Sequence, residues 1–278
     1  MHHRSISVLF TLAIGALSAG CSSDPGNPTS SSSGASSGAS STGSGGGGGG
    51  SGTGGGAACS PGDVPCSDQA ILELNLQKDV TKGLIDNMAD GSGWATSVDA
   101  TAGGAFAPTP ESYTYAKFTD QGLTKVMISD EQSLDSMDWD IAFRRYVIRI
   151  NSGNSGPGCV KAAKIATGEG SYDKVTAVPG NAMFGTDVYF DKSCALIDDM
   201  SGLPTSPATA LHGYWQYQNC VQMTHAVYAI ELPDGRTVKF TVVDYYTPAV
   251  QDECDSMGTI PMMNTGSGNF KVRWAFLQ

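Results

Sequence analysis

Hydrophobic and polar positions divide the chain into three stretches. His2, His3 and Arg4 precede an apolar run from Ile6 to Leu17, and the small residues Ser18-Ala19-Gly20 lead into Cys21. Residues 22 to 58 are almost entirely Ser, Gly, Ala and Thr and offer nothing large to bury. From residue 59 onward apolar residues return in period-two alternation, the signature of half-buried strands. Tyr113, Tyr115 and Lys117 alternate with Ser112, Thr114, Ala116 and Phe118, and Val126 to Ile128 follow a Gly122 turn. Tyr146 to Ile150 is dense in β-branched residues and stops at Asn151-Ser152-Gly153-Asn154, so a strand runs into a loop there. Ala226, Tyr228, Ile230 and Leu232 face one way, Pro233-Asp234-Gly235 turns the chain, and Val238, Phe240 and Val242 return as a hairpin. Phe270, Val272, Trp274 and Phe276 share a face of a closing strand. Only residues 69 to 90, with Ile71, Leu72, Leu74, Leu76, Leu84 and Met88, read as a place for a helix. The pattern predicts an all-β domain, mainly of antiparallel sheets, behind a disordered N-terminal stalk.

The chain start sets its destination. The apolar run is about a dozen residues, short of the roughly 20 that span a bilayer, and with its basic flank it reads as a signal peptide over residues 1–20. Leu17-Ser18-Ala19-Gly20-Cys21 is a lipobox, with small side chains before a cysteine whose thiol takes the lipid. Ser22 after that cysteine favours transfer to the outer membrane over retention. Residues 21–58 then form a lipidated Cys and a Ser/Gly-rich linker that cannot offset its own ordering entropy, a tether of roughly 35 Å end to end. The match of Gly34-Ala35-Ser36-Ser37-Gly38 to a nucleophile elbow lacks the strand and helix that would expose the serine. Residues 59–278 hold one large domain.

Charge and cysteine count narrow the chemistry. Loss of residues 1–20 removes Arg4 and no acid, leaving 15 basic and 27 acidic side chains, a balance that argues against nucleic acid as partner. Cys59, Cys66, Cys159, Cys194, Cys220 and Cys254 are an even set in an oxidising compartment, so disulfides are expected. Every pairing is open in the sequence; Cys59 with Cys66 is the easiest local closure, leaving the later four to staple loops to the sheet. No Cys-x-x-Cys pair points to zinc.

Asp138-Trp139-Asp140-Ile141-Ala142-Phe143-Arg144-Arg145-Tyr146, followed by Arg149-Ile150-Asn151-Ser152-Gly153, resembles the central signature of HmuY-like lipoproteins. Tyr113 to Phe118 resembles the family's early strand, Tyr228 to Tyr246 its late hairpin, and Ser267 to Gln278 its closing strand, so the likeness covers residues 110 to 278. The resemblance implies an all-β, surface-displayed protein that captures haem and passes it to an outer-membrane receptor. Within the signature, Trp139, Ile141 and Phe143 read as core, and Asp140 is placed to pair with Arg144 or Arg145. The Arg144-Arg145 pair stands where related sequences often have histidine.

Haem needs imidazole or thioether donors, and axial pairs vary in the family, so no motif transfers them. His212 ranks first, because it precedes the aromatic Gly213-Tyr214-Trp215-Gln216-Tyr217. Met183 ranks second, in the loop Pro179 to Gly185. His225 lies on the less apolar face of its strand, and Met200 follows Asp198-Asp199, whose carboxylates oppose propionates. Lys161, Lys164, Lys174 and Lys192 are propionate partners in the same half of the domain. Acid–base and nucleophilic constellations are missing, so the chain reads as a binder. The competing class is a surface lipoprotein of the same fold that lacks haem ligation and acts as an adhesion or interaction module.

Overall fold

The computed structural model describes residues 59–103 and 110–278; the predicted signal peptide, Cys21 and the linker to residue 58 lie outside them. Twelve strands follow in order: β1 Ile85–Asp90, β2 Gly93–Asp99, β3 Thr114–Thr119, β4 Gly122–Val126, β5 Ile141–Arg144, β6 Val147–Ile150, β7 Lys161–Ala166, β8 Trp215–Tyr217, β9 Val221–Met223, β10 Val227–Glu231, β11 Thr237–Asp244 and β12 Asn269–Leu277. Short helices punctuate them: α1 Ser67–Glu73, α2 Asp130–Ser133, α3 Ser171–Lys174 and α4 Pro248–Met257. All pairings are antiparallel, in a six-stranded sheet β1-β2-β12-β11-β10-β7, a four-stranded sheet β4-β3-β5-β6 and the hairpin β8-β9. The fold class is all-β, as the alternation predicts.

The two large sheets face each other across the main core. Ala116, Phe118, Ile141, Phe143, Ile148 and Ile150 of the smaller sheet meet Val98, Tyr228, Ile230, Val238, Phe240, Val242, Phe270, Val272 and Trp274 of the larger. The smaller sheet is buried on its other side too, where Tyr113, Tyr115 and Ala142 pack with Trp139, Tyr189, Phe190 and Ala70, Leu74 and Leu76 of the N-terminal segment. That double burial explains why Trp139, Ile141 and Phe143 all lie inside while serving different cores. At one side Asn87 acts as a substitute backbone: its side chain accepts from Leu123 N at 2.9 Å and donates to Leu123 O at 3.1 Å, so the edges β1 and β4 are bridged rather than left open.

The second core is held by charges. Asp130 is fully buried and takes four hydrogen bonds, from Tyr113 N, Tyr115 Oη, Gln77 N and, at 2.9 Å, Arg144 Nη1. Arg149, also fully buried, donates to Tyr115 Oη at 3.0 Å and to Ser155 Oγ and O, and Ser155 Oγ donates to buried Asp187 at 2.5 Å. Tyr113 lies between the two guanidiniums, 4.2 Å from Arg144 and 4.9 Å from Arg149. Burial works against the charge of Arg149, but Tyr115, Tyr189, Tyr113 and Asp130 hold its pKa above the ordinary value. Gly153 lets Asp187 come this close: at φ +58 a Cβ there would sit 2.1 Å from the Asp187 carbonyl oxygen.

Several expectations are corrected. Arg144 pairs with Asp130, not Asp140, because β3 and α2 bring that carboxylate under the guanidinium; Asp140 instead accepts from Phe118 N at 2.9 Å. Cys59 joins Cys159 and Cys66 joins Cys194, so the easy local closure is not made and two of the later four cysteines pin the N-terminal segment. Cys220 joins Cys254, linking the β8-β9 turn to α4. The stretch 69–90 is helical only in α1 and ends in β1, and α4 lies in a region where no helix is expected from periodicity.

Two outcomes follow for stability. Asp130→Ala strands the buried Arg144 guanidinium and the Tyr113 and Gln77 amides, and is expected to cost roughly 3–5 kcal/mol, read as a lower urea midpoint at unchanged slope; a loss below about 1 kcal/mol would remove Asp130 from its central role. Burial pushes Asp140 up to about 6 from an ordinary 3.8, against the Phe118 N–H. The native state therefore holds the extra proton between those values, and the stability this confers below pH 4 is lost as pH rises through 6. Relative to Asp140→Asn, the wild type is expected to lose roughly 3 kcal/mol across that window; a gap that stays constant with pH contradicts it.

Candidate functional site

His212 opens a single 3-10 turn, His212–Tyr214, that leads into β8. Its half-buried ring lies with Nδ1 against the Thr209 carbonyl, which orients the imidazole. An oriented imidazole of this kind is ready to serve as a metal donor.

The chain just before it forms a small hairpin. Asp199 N donates to Ser206 O at 2.8 Å and Ala208 N to Ile197 O at 3.0 Å, which places Met200 at the tip and His212 beyond the base. Met200 is 88 % exposed with φ 57, a left-handed backbone held by its N–H on Asp198 Oδ1. The next residue is stitched to β8 through Tyr217 N, which donates to Ser201 O at 2.7 Å, and Tyr217 is itself exposed. Ser201 Oγ is buried with no hydrogen-bond partner, among the described residues the one such side-chain atom. A large exposed thioether, an exposed aromatic ring and a buried unpaired hydroxyl thus occupy one corner.

Met183 is 89 % exposed in a loop whose Gly185 pairs with Ala162 at the β7 edge. On the same strand the Lys164 ammonium lies beside Gly213, 3.5 Å from where a Cβ would be, so β7 brings the Met183 loop and the His212 turn to one edge. Of the other lysines, Lys161 pairs with Glu231 at 3.8 Å, while Lys174 and Lys192 are exposed. His225 is set apart. It lines a cleft of about 140 Å³ on the outer face of the large sheet with Tyr172, Asp173 and Arg273, smaller than the roughly 300–1,000 Å³ of typical ligand pockets. The imidazole of His212 and the thioethers of Met200 and Met183 are donor types that suit haem iron, and they are carried around the 197–208 hairpin and the β7 edge. The largest cleft described, about 630 Å³, lies elsewhere, between Pro61–Ile71 and α2, and contains none of the four donors.

Periodicity hides the Met200 corner. Asp198-Asp199-Met200-Ser201-Gly202 reads as a turn, and only the fold shows that Ser201 is buried unpaired and that Tyr217 closes over its loop.

No curated protein matches the chain. Among solved structures, an HmuY-like heme binding protein from Bacteroides vulgatus is similar at 16 % identity and a TM-score of 0.42, covering 67 % of this chain and 93 % of that one. A lipoprotein from Bacteroides fragilis is similar at 14 % identity and a TM-score of 0.42, with 69 % and 92 % covered. An apo HmuY analog from Tannerella forsythia is similar at 14 % identity and a TM-score of 0.36, with 72 % and 99 % covered. The family model for the HmuY protein matches residues 109–256, a span that holds the Trp139 signature, the charged second core, the Met200 hairpin and the β10-β11 hairpin. With more than half of its residues matched, the chain belongs to the HmuY family.

Proposed function

We propose that this chain is an exported lipoprotein, anchored to the outer membrane through Cys21, that captures haem at the cell surface and passes it to an outer-membrane haem receptor. The observation that carries the reading is the Met200 corner, with its exposed thioether and orphaned Ser201 hydroxyl, followed along the chain by the His212 imidazole beyond the base of the hairpin. Membership of the family supports the ligand class. Bound haem supplies an iron with axial positions to fill and two propionates. Toward it the chain's own residues offer a soft sulfur at Met200 or Met183, an imidazole at His212 that the Thr209 carbonyl orients, and the ammonium of Lys164. The lipid and the stalk belong to the same reading: no described helix is long and apolar enough to cross a membrane, and the lipobox at Cys21 provides the attachment.

Absorbance titration of the chain from residue 22 onward with ferric and ferrous haem is expected to give a Soret shift that saturates at one equivalent. Met200→Ala, Met183→Ala and His212→Ala are compared; loss of the shift identifies a donor, while His225→Ala leaves it in place. A spectrum indistinguishable from free haem would instead favour the interaction module, a surface lipoprotein of this fold without haem ligation. For the anchor, Cys21→Ser is expected to move the protein from the membrane fraction to the soluble one, and unchanged partitioning would remove the lipid from the proposal.

A further inference from the structure

Arginine on this protein is almost fully committed. Arg144 holds Asp130, Arg149 holds Ser155 and Tyr115, Arg236 holds Asp120 and Asp234, and Arg273 holds Asp90 and Asp173. Arg145 is the exception among the described residues. Its guanidinium has only the Ser267 carbonyl, at 3.4 Å, and no carboxylate within 4.0 Å. Residues 104–109, Gly-Ala-Phe-Ala-Pro-Thr, add no acid that could serve.

Its position is fixed from behind. Arg145 sits in the β5-β6 turn at φ 52, a left-handed conformation secured by its N–H on Ala100 O at 2.7 Å. The side chain lines a cleft of about 250 Å³. One wall is Tyr146, held by a ring contact with Trp215 at 5.1 Å and by its carbonyl, which accepts from Tyr214 Oη at 2.7 Å. Half-buried Val147 supplies aliphatic surface, and Thr205 and Glu73 complete the lining. Arg144 also borders the cleft, but Asp130 already neutralises it. The cleft thus offers one uncompensated planar cation beside an aromatic and aliphatic surface, with one acid in its lining.

We propose that this cleft binds a monocarboxylate carried on a compact apolar group. The guanidinium fork of Arg145 pairs with both carboxylate oxygens, the geometry in which arginine outperforms lysine. The apolar part lies against Tyr146 and Val147. Glu73 sets the preference for one negative charge over two. The proposal stands independently of haem binding.

The test is a two-dimensional NMR titration of the ¹⁵N-labelled chain from residue 22 onward with phenylacetate. Saturable shifts at the Arg145 Nε–Hε and at the Tyr146 and Val147 amides are expected, with a dissociation constant in the millimolar range for so small a ligand. Arg145→Gln is expected to weaken binding about tenfold or more, Arg145→Lys to fall between, and Glu73→Gln to tighten it several-fold. Shifts that do not saturate, or equal affinity in Arg145→Gln, overturn the proposal. Inorganic sulfate that binds the same resonances as tightly overturns the carboxylate assignment.

Discussion

Asp130 cannot be buried without its partners, and its partners come from every part of the second core. The carboxylate stands at the N-terminus of α2, where the helix favours negative charge, and it draws together Gln77 of the N-terminal segment, the start of β3 and Arg144 at the end of β5. Through Tyr115 the chain of contacts reaches Arg149 on β6, and through Ser155 it reaches Asp187 in the loop beyond β7. Two arginines and two aspartates share the interior, so formal charge balances locally. Each hydrogen bond between them fixes a strand or loop register that apolar packing alone would leave free to slip. The central sheet is sandwiched because one of its faces is apolar and the other is this charged layer roofed by aromatic rings.

Much of the architecture is written in alternation. The hairpin around Asp234-Gly235 and the closing strand are legible because one face is buried and the other is half-exposed, which is the condition for a period of two. Where both faces are buried, alternation fades. β5 reads only as a cluster of large residues, and Arg149 hides within a strand that seems amphipathic. α4 escapes a search for periodicity because its mean apolar character is low, yet Pro248 at its start and Gly258 in the left-handed cap after its end are the sequence marks of a helix. β1 escapes because it is an exposed edge carrying Asp86, Asn87 and Asp90, of which Asn87 bridges to β4 and Asp90 pairs with Arg273 rather than packing in a core.

Four candidate donors can be picked from residue type alone, since few histidines and methionines meet haem chemistry. Where each lies cannot, because that depends on the turn of residues 197–208 and on a bridge at Gly185 that joins segments some twenty residues apart along the chain. His225 and His212 look alike in sequence, and only the fold separates a ring under α3 from a ring at the open edge. The Arg144-Arg145 pair likewise splits into a buried structural cation and one left facing a cleft.

The Cys59–Cys159 bond closes the chain at the first residue of the described domain. A pull that enters the domain at Cys59 passes through sulfur into Cys159 just before β7. The segment that carries Cys66 and α1 lies off that line of force and is itself latched to Cys194. Oxidised, the domain has no loose end from which α1 could be peeled to open the charged interior; with both bonds reduced, the same pull starts at α1 and works inward toward Asp130.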